Sequence, residues 1–490
     1  MWYSISIAGV VLALLVCGAA WNGWAGAAES PSAVSGAPPG LRAGAAASNI
    51  TPPLGVPING YFNDRRARHV HDELHARALA LDDGRTRLAL VVCDSCMIPR
   101  GVVDAARQRI TQRTGLPAHH VLIAATHSHT TPACMGLFQT EPDADYTRFL
   151  IGRIADAVER ALHNLAPAQI GWGVGREPNH VFNRRWRMKP GSIPPNPLGG
   201  TNDLVQMNPP PASPNLVEPA GPTDPEVSVL AVRSASGRPL ALLAVYALHY
   251  VGTGREWDIS ADYFGAFCER VAELLGARGV WHDDPPFVAM LANGASGDIN
   301  NINFRQPRPP QPPYAQVRQV ADAVAREAHR VWQSLNFHSN ATLAVAERDL
   351  ELAVRLPDAA EVARAQAILA RAQGRALQGL EEVYARETVL LKDWPATQSL
   401  HLQAMRVGGL GLVAIPCEVF VEIGLALKRQ SPFQPTVVMG LANGAHGYLP
   451  TPEQHALGGY ETWRARSSCL EVGAAPKIQQ ALLDLLGGLK

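Results

Sequence analysis

Two histidines one residue apart, His127 and His129, directly follow the apolar run of residues 121–125. Alternate side chains of an extended chain point to the same side, so the two imidazoles can reach one point. Neutral imidazole is a good ligand for Zn²⁺. The pattern therefore predicts a metal-binding pair at a strand end, although two hydrogen-bonded loop histidines would have the same spacing.

Two further metal-competent residues, His249 and Glu418, are placed in the same way. His249 follows the apolar run 242–248, and Glu418 follows a predicted strand at 412–415. Alone, each has an ordinary explanation: a core or surface histidine, and a carboxylate that complements the positive end of a helix. Together with His127 they make up two imidazoles and a carboxylate with a fourth position open, as in catalytic zinc sites.

A loop rich in Gly and Asn, residues 293–301, follows a predicted strand at 287–292. Gly294 and Gly297 suit a tight turn with backbone close to a ligand. Asp298 could hydrogen-bond a metal-bound imidazole, although an ordinary polar turn has the same composition. The loop lacks the context of a dinucleotide-binding loop and the lysine of a P-loop.

The elements that must position these residues indicate an α/β fold. Strands at 88–92 and 121–125 enclose a helix at 102–114, which is a βαβ unit. We therefore expect one large catalytic domain with a mixed, mostly parallel sheet, flanking helices and the site at the carboxyl ends of strands. Further strands are predicted at 229–232, 241–247, 287–292, 410–415 and 436–439, and further helices at 146–166, 263–275, 315–335, 420–429 and 475–486.

Two proline-rich stretches, residues 190–225 and 307–313, cannot form core strands or helix interiors. They are predicted to be long loops, which often form walls or lids of active sites. Residues 357–390 are rich in Ala, Arg, Leu and Glu and predict one or two helices that could be an inserted hairpin.

Length and charge limit the class of protein. The chain has 490 residues, 47% of them hydrophobic, enough for a large packed core. It carries 43 Lys and Arg against 43 Asp and Glu, and this neutral balance argues against a nucleic-acid partner.

The sequence of the N-terminal 28 residues predicts that the protein is exported. Residues 5–20 are apolar and almost uncharged, and small residues follow at 25–28. This run is shorter than the roughly 20 residues of a membrane span. We expect residues 1–28 to be a signal peptide or an N-terminal anchor, 29–44 a linker and 45–490 one large globular domain. The protein would then be periplasmic or secreted, or else anchored to a membrane by that segment.

Loss of Cys17 with a leader would leave six cysteines. An exported protein permits disulfides, and buried free thiols are the alternative. Cys93 and Cys96 have thioredoxin-like spacing but close an apolar run, so a redox pair and a strand-end core both fit.

Short segments spread over about residues 45–465 together resemble the catalytic N-terminal domain of the neutral/alkaline (non-lysosomal) ceramidases. Members of that family are zinc-dependent amidases that cleave the N-acyl bond of ceramide. The segments are Gly60-Tyr61, residues 75–78 (His-Ala-Arg-Ala), 124–129 (Ala-Ala-Thr-His-Ser-His), Asn183-Arg184, His249, 260–262 with Gly265, 297–299 (Gly-Asp-Ile), 416–418 (Pro-Cys-Glu), 440–443 (Gly-Leu-Ala-Asn), Tyr448 and Tyr460-Glu461.

The resemblance implies roles for seven residues and one Zn²⁺ per chain. His127, His249 and Glu418 match the family's zinc ligands, and Tyr448 matches an unusual fourth ligand, a phenol. The residues that match the family's catalytic groups are His129 and Arg184, which contact the reacting group, and Tyr460, which stabilises the oxyanion.

The chain departs from the family in two ways. Asn300 stands where the family has a serine, and an amide is no nucleophile, so an acyl-serine route at that position is excluded. Well-known members also carry a C-terminal immunoglobulin-type domain, for which we expect no room here.

The resemblance implies a zinc-dependent amide hydrolase in which zinc-bound hydroxide attacks ceramide or a related N-acyl lipid. Peripheral membrane contact would accompany such a substrate. The alternatives are an amidase or esterase with another substrate, a barrel amidohydrolase with an ordinary His-x-His pair, and an inactive zinc-binding homologue that binds lipid or envelope components.

Overall fold

Two β-sheets lie at the centre of this computed structural model, which describes residues 40–252, 254–278 and 285–490. The larger sheet has eight strands and the smaller has four. In chain order the strands of the larger sheet are β1 Arg42–Asn49, β2 His75–Asp82, β3 Arg87–Cys93, β4 Val121–Ala125, β5 Ala166–Arg176, β6 Glu226–Ser234, β7 Pro239–Tyr246 and β8 Val288–Asn293. Those of the smaller sheet are β9 Leu343–Ala353, β10 Thr397–Val407, β11 Leu410–Ile415 and β12 Thr436–Gly440.

The sheets pack face to face and helices cover their outer faces. Leu90 and Leu122 of the larger sheet share a buried cluster with Met405 and Leu412 of the smaller one. Other buried clusters join the larger sheet to α1 to α4, and the smaller one to α7 and α9. The helices are α1 Arg100–Thr114, α2 Ala144–His163, α3 Asp262–Leu274, α4 Ala315–Ser334, α5 Ala359–Ala370, α6 Gly379–Leu391, α7 Val421–Gln430, α8 Pro452–Leu457 and α9 Ala474–Gly488.

The larger sheet is mixed but mostly antiparallel. Its order is β8-β7-β6-β5-β1-β2-β3-β4, and among these strands only the edge pairs β7/β8 and β3/β4 are parallel. The α/β class and the mixed sheet are confirmed, whereas the prediction of mostly parallel strands is wrong. Short turns join β2 to β3 and β6 to β7, and a short turn can link only antiparallel neighbours.

Three strand–helix–strand units supply the parallel pairs. They are β3-α1-β4 and β7-α3-β8 in the larger sheet and β11-α7-β12 in the smaller one. A parallel pair needs such a crossover, which leaves loops at the carboxyl end of each strand. His127 follows β4, His249 follows β7, and Glu418 follows β11.

The proline-rich and helical insertions largely match expectation. Residues 190–225 form a long excursion with two short strands, Val205–Met207 and Leu216–Pro219, beside Arg185–Met188. Residues 357–390 form a pair of helices, α5 and α6, and Asp358 begins the first with a capping box.

The predicted leader, residues 1–28, lies outside the described residues, as does most of the predicted linker. Strand β1 already begins at Arg42, so residues 42–44 are strand and not linker. Within the part of the chain that the structure describes, no helix has the length and apolar character needed to cross a bilayer.

Candidate metal centre

His127 is held by the turn that follows β4. Its φ of 73° places it in the left-handed region, and its backbone N–H donates to Ser95 O at 2.9 Å. The side chain is buried, and Nδ1 donates to the carbonyl of Cys96 at 2.9 Å. Because Nδ1 carries the proton, the lone pair of Nε2 faces the interior.

His249 faces His127 in the same protonation pattern. Its Nδ1 donates to Ser296 O at 3.0 Å, and its Nε2 lies 3.0 Å from Nε2 of His127. The Oε2 atom of Glu418 lies 3.2 Å from Nε2 of His127 and 3.8 Å from that of His249. This oxygen is buried and accepts no hydrogen bond. The two Nε2 atoms and this carboxylate oxygen therefore converge on one point.

The three ligand atoms fit a divalent cation. They lie within 4.8 Å of one another, and all three residues are buried. Ligands about 2.0–2.2 Å from a tetrahedral ion are separated from one another by about 3.3 Å, close to the observed spacings. Two imidazoles and a carboxylate are also a donor set that Zn²⁺ accepts. The group could therefore hold a metal ion.

The electrostatics of this group favour one positive charge among the three residues. Burial by itself lowers the pKa of His127, but Glu418 and Cys96 outweigh it and raise that pKa to about 10. Burial and the neighbouring charges of Arg184 and His127 lower the pKa of His249. A second proton on His127 would pair with Glu418, and a metal cation bound between the rings would supply the same positive charge.

Tyr448 is brought beside Glu418 by strand pairing. The short strands Glu418–Val419 and Tyr448–Leu449 are parallel neighbours, with Glu418 opposite Tyr448. The phenol accepts a hydrogen bond from Arg184 Nη2 at 3.1 Å. Burial and the charge of Glu418 raise the pKa of Tyr448, so without a cation beside it the phenol is protonated.

His129 lies at the edge of the group, with Nε2 at 3.2 Å from Nε2 of His127. Its ring stacks on Tyr250 at a centroid distance of 3.7 Å. On the backbone of Gly60, whose φ is +96°, a Cβ atom would come within 2.3 Å of the same ring. The imidazole is thus fixed by an aromatic ring and by a residue that must be glycine. Burial and the charges of His127 and Arg65 lower the pKa of His129, which favours the neutral, proton-accepting form.

Tyr460 closes the group from a 3₁₀ turn, Tyr460–Thr462. Its ring meets Tyr448 edge to face at 5.7 Å and Phe62 at 5.9 Å. Burial and Glu418 raise the pKa of Tyr460, so its hydroxyl remains a donor. The structure thus brings all seven sequence-predicted site residues into one buried neighbourhood, while their chemical roles stay predictions.

Two neighbouring residues, Asp298 and Asn300, carried expectations that the structure tests. Asp298 does not contact an imidazole: its carboxylate accepts from Val421 N at 2.9 Å and from Asn183 Nδ2 at 2.8 Å. The backbone carbonyl of Ser296 takes the role expected of Asp298, bonding the Nδ1 of His249. Asn300 donates to Asn208 Oδ1 at 2.9 Å.

The cysteines are free thiols. None of the six described cysteines is in a disulfide, and five of the six are buried. The Cys93–Cys96 pair closes β3, as the strand-end explanation predicted, and Cys96 Sγ lies 3.8 Å from Nδ1 of His127. Burial and Asp94 raise the pKa of Cys93, which is the opposite of a reactive thiol.

Sequence reasoning assigned no role to Gly60, Tyr250, Arg185 or Glu461. Tyr250 could have been suspected because it follows His249 directly, and Gly60 and Glu461 because they lie in segments that carry the resemblance. Arg185 gave no signal, since consecutive arginines at a strand end usually point to opposite faces.

A cavity of about 480 Å³ opens beside Tyr460. Phe62, Trp463, Val205 and Met207 give it an apolar lining, and Arg364 and Glu381 of the α5–α6 pair add charge. Prolines 194, 195 and 197 form part of its wall, so the proline-rich stretch 190–225 does line a pocket.

Comparisons with known proteins agree with the fold. Residues 41–307 match the family model described as neutral/alkaline non-lysosomal ceramidase, N-terminal. The crystal structure of neutral ceramidase from Pseudomonas aeruginosa has the same fold, with a TM-score of 0.69 and 21% identity, covering 92% of this chain and 74% of that chain. A structure described as ceramidase complexed with C2 matches with a TM-score of 0.69 and 20% identity, covering 92% of this chain and 75% of that chain.

Proposed function

The chain belongs to the neutral/alkaline non-lysosomal ceramidase family, and from this premise we propose that it is a zinc-dependent amide hydrolase. Its substrate would be ceramide or a related N-acyl lipid. The observation that carries the proposal is the buried convergence of His127, His249 and Glu418, whose ligand atoms lie within 4.8 Å of one another.

The residues that would hold the zinc are His127, His249 and Glu418, with Tyr448 as the fourth ligand. Zinc in such a set supplies a water ligand of lowered pKa and a Lewis acid for the carbonyl. The carbonyls of Cys96 and Ser296 fix the tautomers of the two imidazoles, so both Nε2 lone pairs are aimed at the metal position.

The remaining residues would handle the proton and the developing charge. His129 would take the proton of the attacking water and return it to the leaving amine nitrogen. The Tyr460 hydroxyl is a preorganised donor for the oxyanion that forms as the C–O bond is made. The Arg184 guanidinium would bind a substrate oxygen and then the product carboxylate. Cleavage of the C–N bond leaves a carboxylate and an amine.

The position of Asn300 supports direct attack by water. Its amide cannot form an acyl intermediate, and it is engaged with Asn208 at 2.9 Å. No acyl-enzyme at this residue would accumulate, so a burst of amine release is not expected in pre-steady-state kinetics.

The apolar cavity beside Tyr460 supports a lipid substrate. Its lining of Phe62, Trp463, Val205 and Met207 suits a hydrocarbon chain whose amide lies at the metal centre. The likeness to a ceramidase complexed with C2 is consistent with this class.

Metal analysis and an activity assay on one preparation test the proposal. We expect about one zinc per chain and hydrolysis of N-acyl-sphingosine, both lost in His127→Ala. Full activity without zinc would refute the mechanism. Zinc without hydrolysis of any N-acyl lipid, amide or ester would favour the inactive binding homologue. Hydrolysis of other amides or esters alone would favour a different substrate.

The location of the protein is proposed from the apolar run at residues 5–20. We propose a periplasmic or secreted enzyme, or one anchored by that run, which makes peripheral contact with membranes. Fractionation of cells that express the full chain tests this, and activity recovered only in the cytoplasmic fraction would contradict it.

A further inference from the structure

Two consecutive arginines converge on one carboxylate next to the metal centre. Arg184 Nε donates to Glu461 Oε1 at 3.0 Å, and Arg185 Nη1 donates to Glu461 Oε2 at 2.6 Å. Consecutive side chains on a regular strand point to opposite faces. Here the strand is interrupted between Phe182–Asn183 and Arg185–Met188, so both guanidiniums turn to the same side. All three side chains are buried, and Glu461 has no exposed surface.

The bond to Glu461 sets the direction of Arg184. A guanidinium is a rigid fork, so fixing its Nε also fixes both Nη groups. Arg184 Nη2 donates to the Tyr448 hydroxyl at 3.1 Å, and Nη1 lies 3.3 Å from Nε2 of His249. The side of Arg184 that is not held by Glu461 is therefore the side that faces the reaction site.

The same residue fixes the turn that carries Tyr460. Glu461 is the middle residue of the 3₁₀ turn Tyr460–Thr462, and its backbone carbonyl accepts from Ser468 Oγ at 2.8 Å. One residue thus connects Tyr460, the proposed oxyanion donor, to Arg184, the proposed carboxylate-binding arginine.

Arg185 braces this arrangement from the opposite side. Its Nη2 donates to the carbonyl of Gly458 at 2.7 Å, and its Nε donates to Gln454 Oε1 at 3.1 Å. Both contacts lie in the segment that leads into the Tyr460 turn. Arg185 contacts none of the predicted metal ligands, so its guanidinium serves to hold Glu461 in place.

We propose that Glu461 is a positioning residue of the hydrolytic site, which holds Arg184 and Tyr460 in a fixed relation to the metal centre. The inference rests on the proposed function. Its chemical content is that the Glu461 carboxylate touches no substrate and acts only through Arg184 and the Tyr460 turn.

Glu461→Gln is the main test, because it keeps the size of the side chain and removes its charge. Displacement of a reacting group by about 1 Å can cost about 10² in rate. We expect kcat for N-acyl-sphingosine to fall about 100-fold, with KM changed less than about threefold and zinc content unchanged. The affinity of the zinc-loaded protein for laurate, a carboxylate that Arg184 would bind, should fall at least about tenfold in calorimetry.

Glu387→Gln is the matched control. Glu387 is as buried as Glu461 and also holds an arginine, with Arg466 Nε at 2.8 Å and Arg466 Nη2 at 2.7 Å. This control should lose thermal stability like Glu461→Gln but keep kcat and laurate affinity within about twofold. Equal kcat and equal laurate affinity in the two variants would overturn the inference.

Glu461→Asp covers the case in which the Gln variant does not fold. It keeps the charge between the two arginines but withdraws the carboxylate by one methylene. We expect kcat and laurate affinity to fall about tenfold with an unchanged melting temperature, and normal values of both would overturn the inference. If the wild type binds laurate but hydrolyses nothing, the proposed function is refuted. The positioning role of Glu461 is then tested by the laurate affinities of wild type and the Glu461 variants alone.

Discussion

Two buried histidine sites in the described residues, at His127 and at His401, both face carboxylates but differ in their chemistry. In the metal centre, Nδ1 of His127 and of His249 donates to a backbone carbonyl, and both Nε2 atoms face Oε2 of Glu418, which accepts no hydrogen bond. In the second cluster, on β9 and β10, His401 Nδ1 lies 2.9 Å from Asp349 and Nε2 lies 2.8 Å from Glu347. Each nitrogen of the His401 ring therefore has a carboxylate within hydrogen-bond distance.

The difference lies in what the second nitrogen of each ring contacts. Arg107 and Arg100 reach the His401 cluster and supply further positive charge, so its carboxylates are satisfied by the protein. Around His127 the carboxylate oxygen lacks a donor and the two lone pairs oppose each other at 3.0 Å. Residue types alone thus do not distinguish an ion network from a metal site, whereas the number of unpaired lone pairs does.

The largest expected effect is the contrast between His127→Ala and His401→Ala. Loss of a metal ligand removes several kcal/mol of transition-state stabilisation, and each 1.36 kcal/mol is tenfold in rate. We expect His127→Ala to lose its zinc and at least about 10³ in kcat/KM, and His401→Ala to retain both within about threefold. Metal analysis and N-acyl-sphingosine hydrolysis measure this. Loss of zinc in both variants would contradict the distinction between a metal site at His127 and an ion network at His401.

Tyr460→Phe should have the next largest effect. The variant keeps the aromatic contacts to Tyr448 and Phe62 but removes the donor for the oxyanion. Removing one such donor typically costs about 10²–10³ in kcat. Zinc content should be unchanged, which separates this loss from that of a metal ligand. Wild-type kcat in Tyr460→Phe would show that the hydroxyl plays no part in the reaction.

Removal of the metal with a chelator should also distinguish the His127 site from the His401 site, without an activity assay. A ligand that binds the folded state at 100 times its Kd contributes about 2.7 kcal/mol, which for a chain of 490 residues corresponds to a fall of about 3 °C in melting temperature when it is removed. Wild type and His401→Ala should both show this fall with a chelator, and His127→Ala should show none. A chelator shift in His127→Ala, measured by calorimetry, would mean that metal binds elsewhere.

The local units of the fold were predictable from sequence, and their assembly was not. The apolar runs and the helix at 102–114 gave the β3-α1-β4 unit, and similar patterns gave the separate strands and helices that surround His249 and Glu418 in the sequence. Of the parallel pairs in the two sheets, only β3/β4 was predicted as a strand–helix–strand unit. The error was to extend this parallel arrangement to the whole sheet, since the turn of residues 83–86 between β2 and β3 requires antiparallel neighbours.

The site was predictable to the extent that chemistry marks its residues. His127, His249 and Glu418 stand out because imidazole and carboxylate are unusual at the ends of apolar strands. Tyr448 and Tyr460 were reached through resemblance alone, because a tyrosine among apolar residues is usually part of a core. The role proposed for Glu461 depends on a break in the strand beside Arg184, which only the structure shows.

The smallest expected effect lies in the His401 cluster and depends on pH. Burial raises the pKa of Glu347, but the hydrogen bond from His401 and the charges of His401 and Arg107 outweigh it and lower that pKa. The hydrogen bond from Arg100, together with His401, lowers the pKa of Asp349. A carboxyl whose folded pKa lies below its unfolded value of about 4 stabilises the protein above that value, and this stabilisation is lost as the pH falls through the folded pKa. Because both groups are partly exposed, the double variant Glu347→Gln/Asp349→Asn should lose only roughly 1 kcal/mol of unfolding free energy at pH 7.

The difference in melting temperature between this variant and wild type should narrow between pH 5 and pH 3, with zinc content unchanged. A difference that widens toward pH 3 would contradict the assignment of these carboxylates to a satisfied ion network.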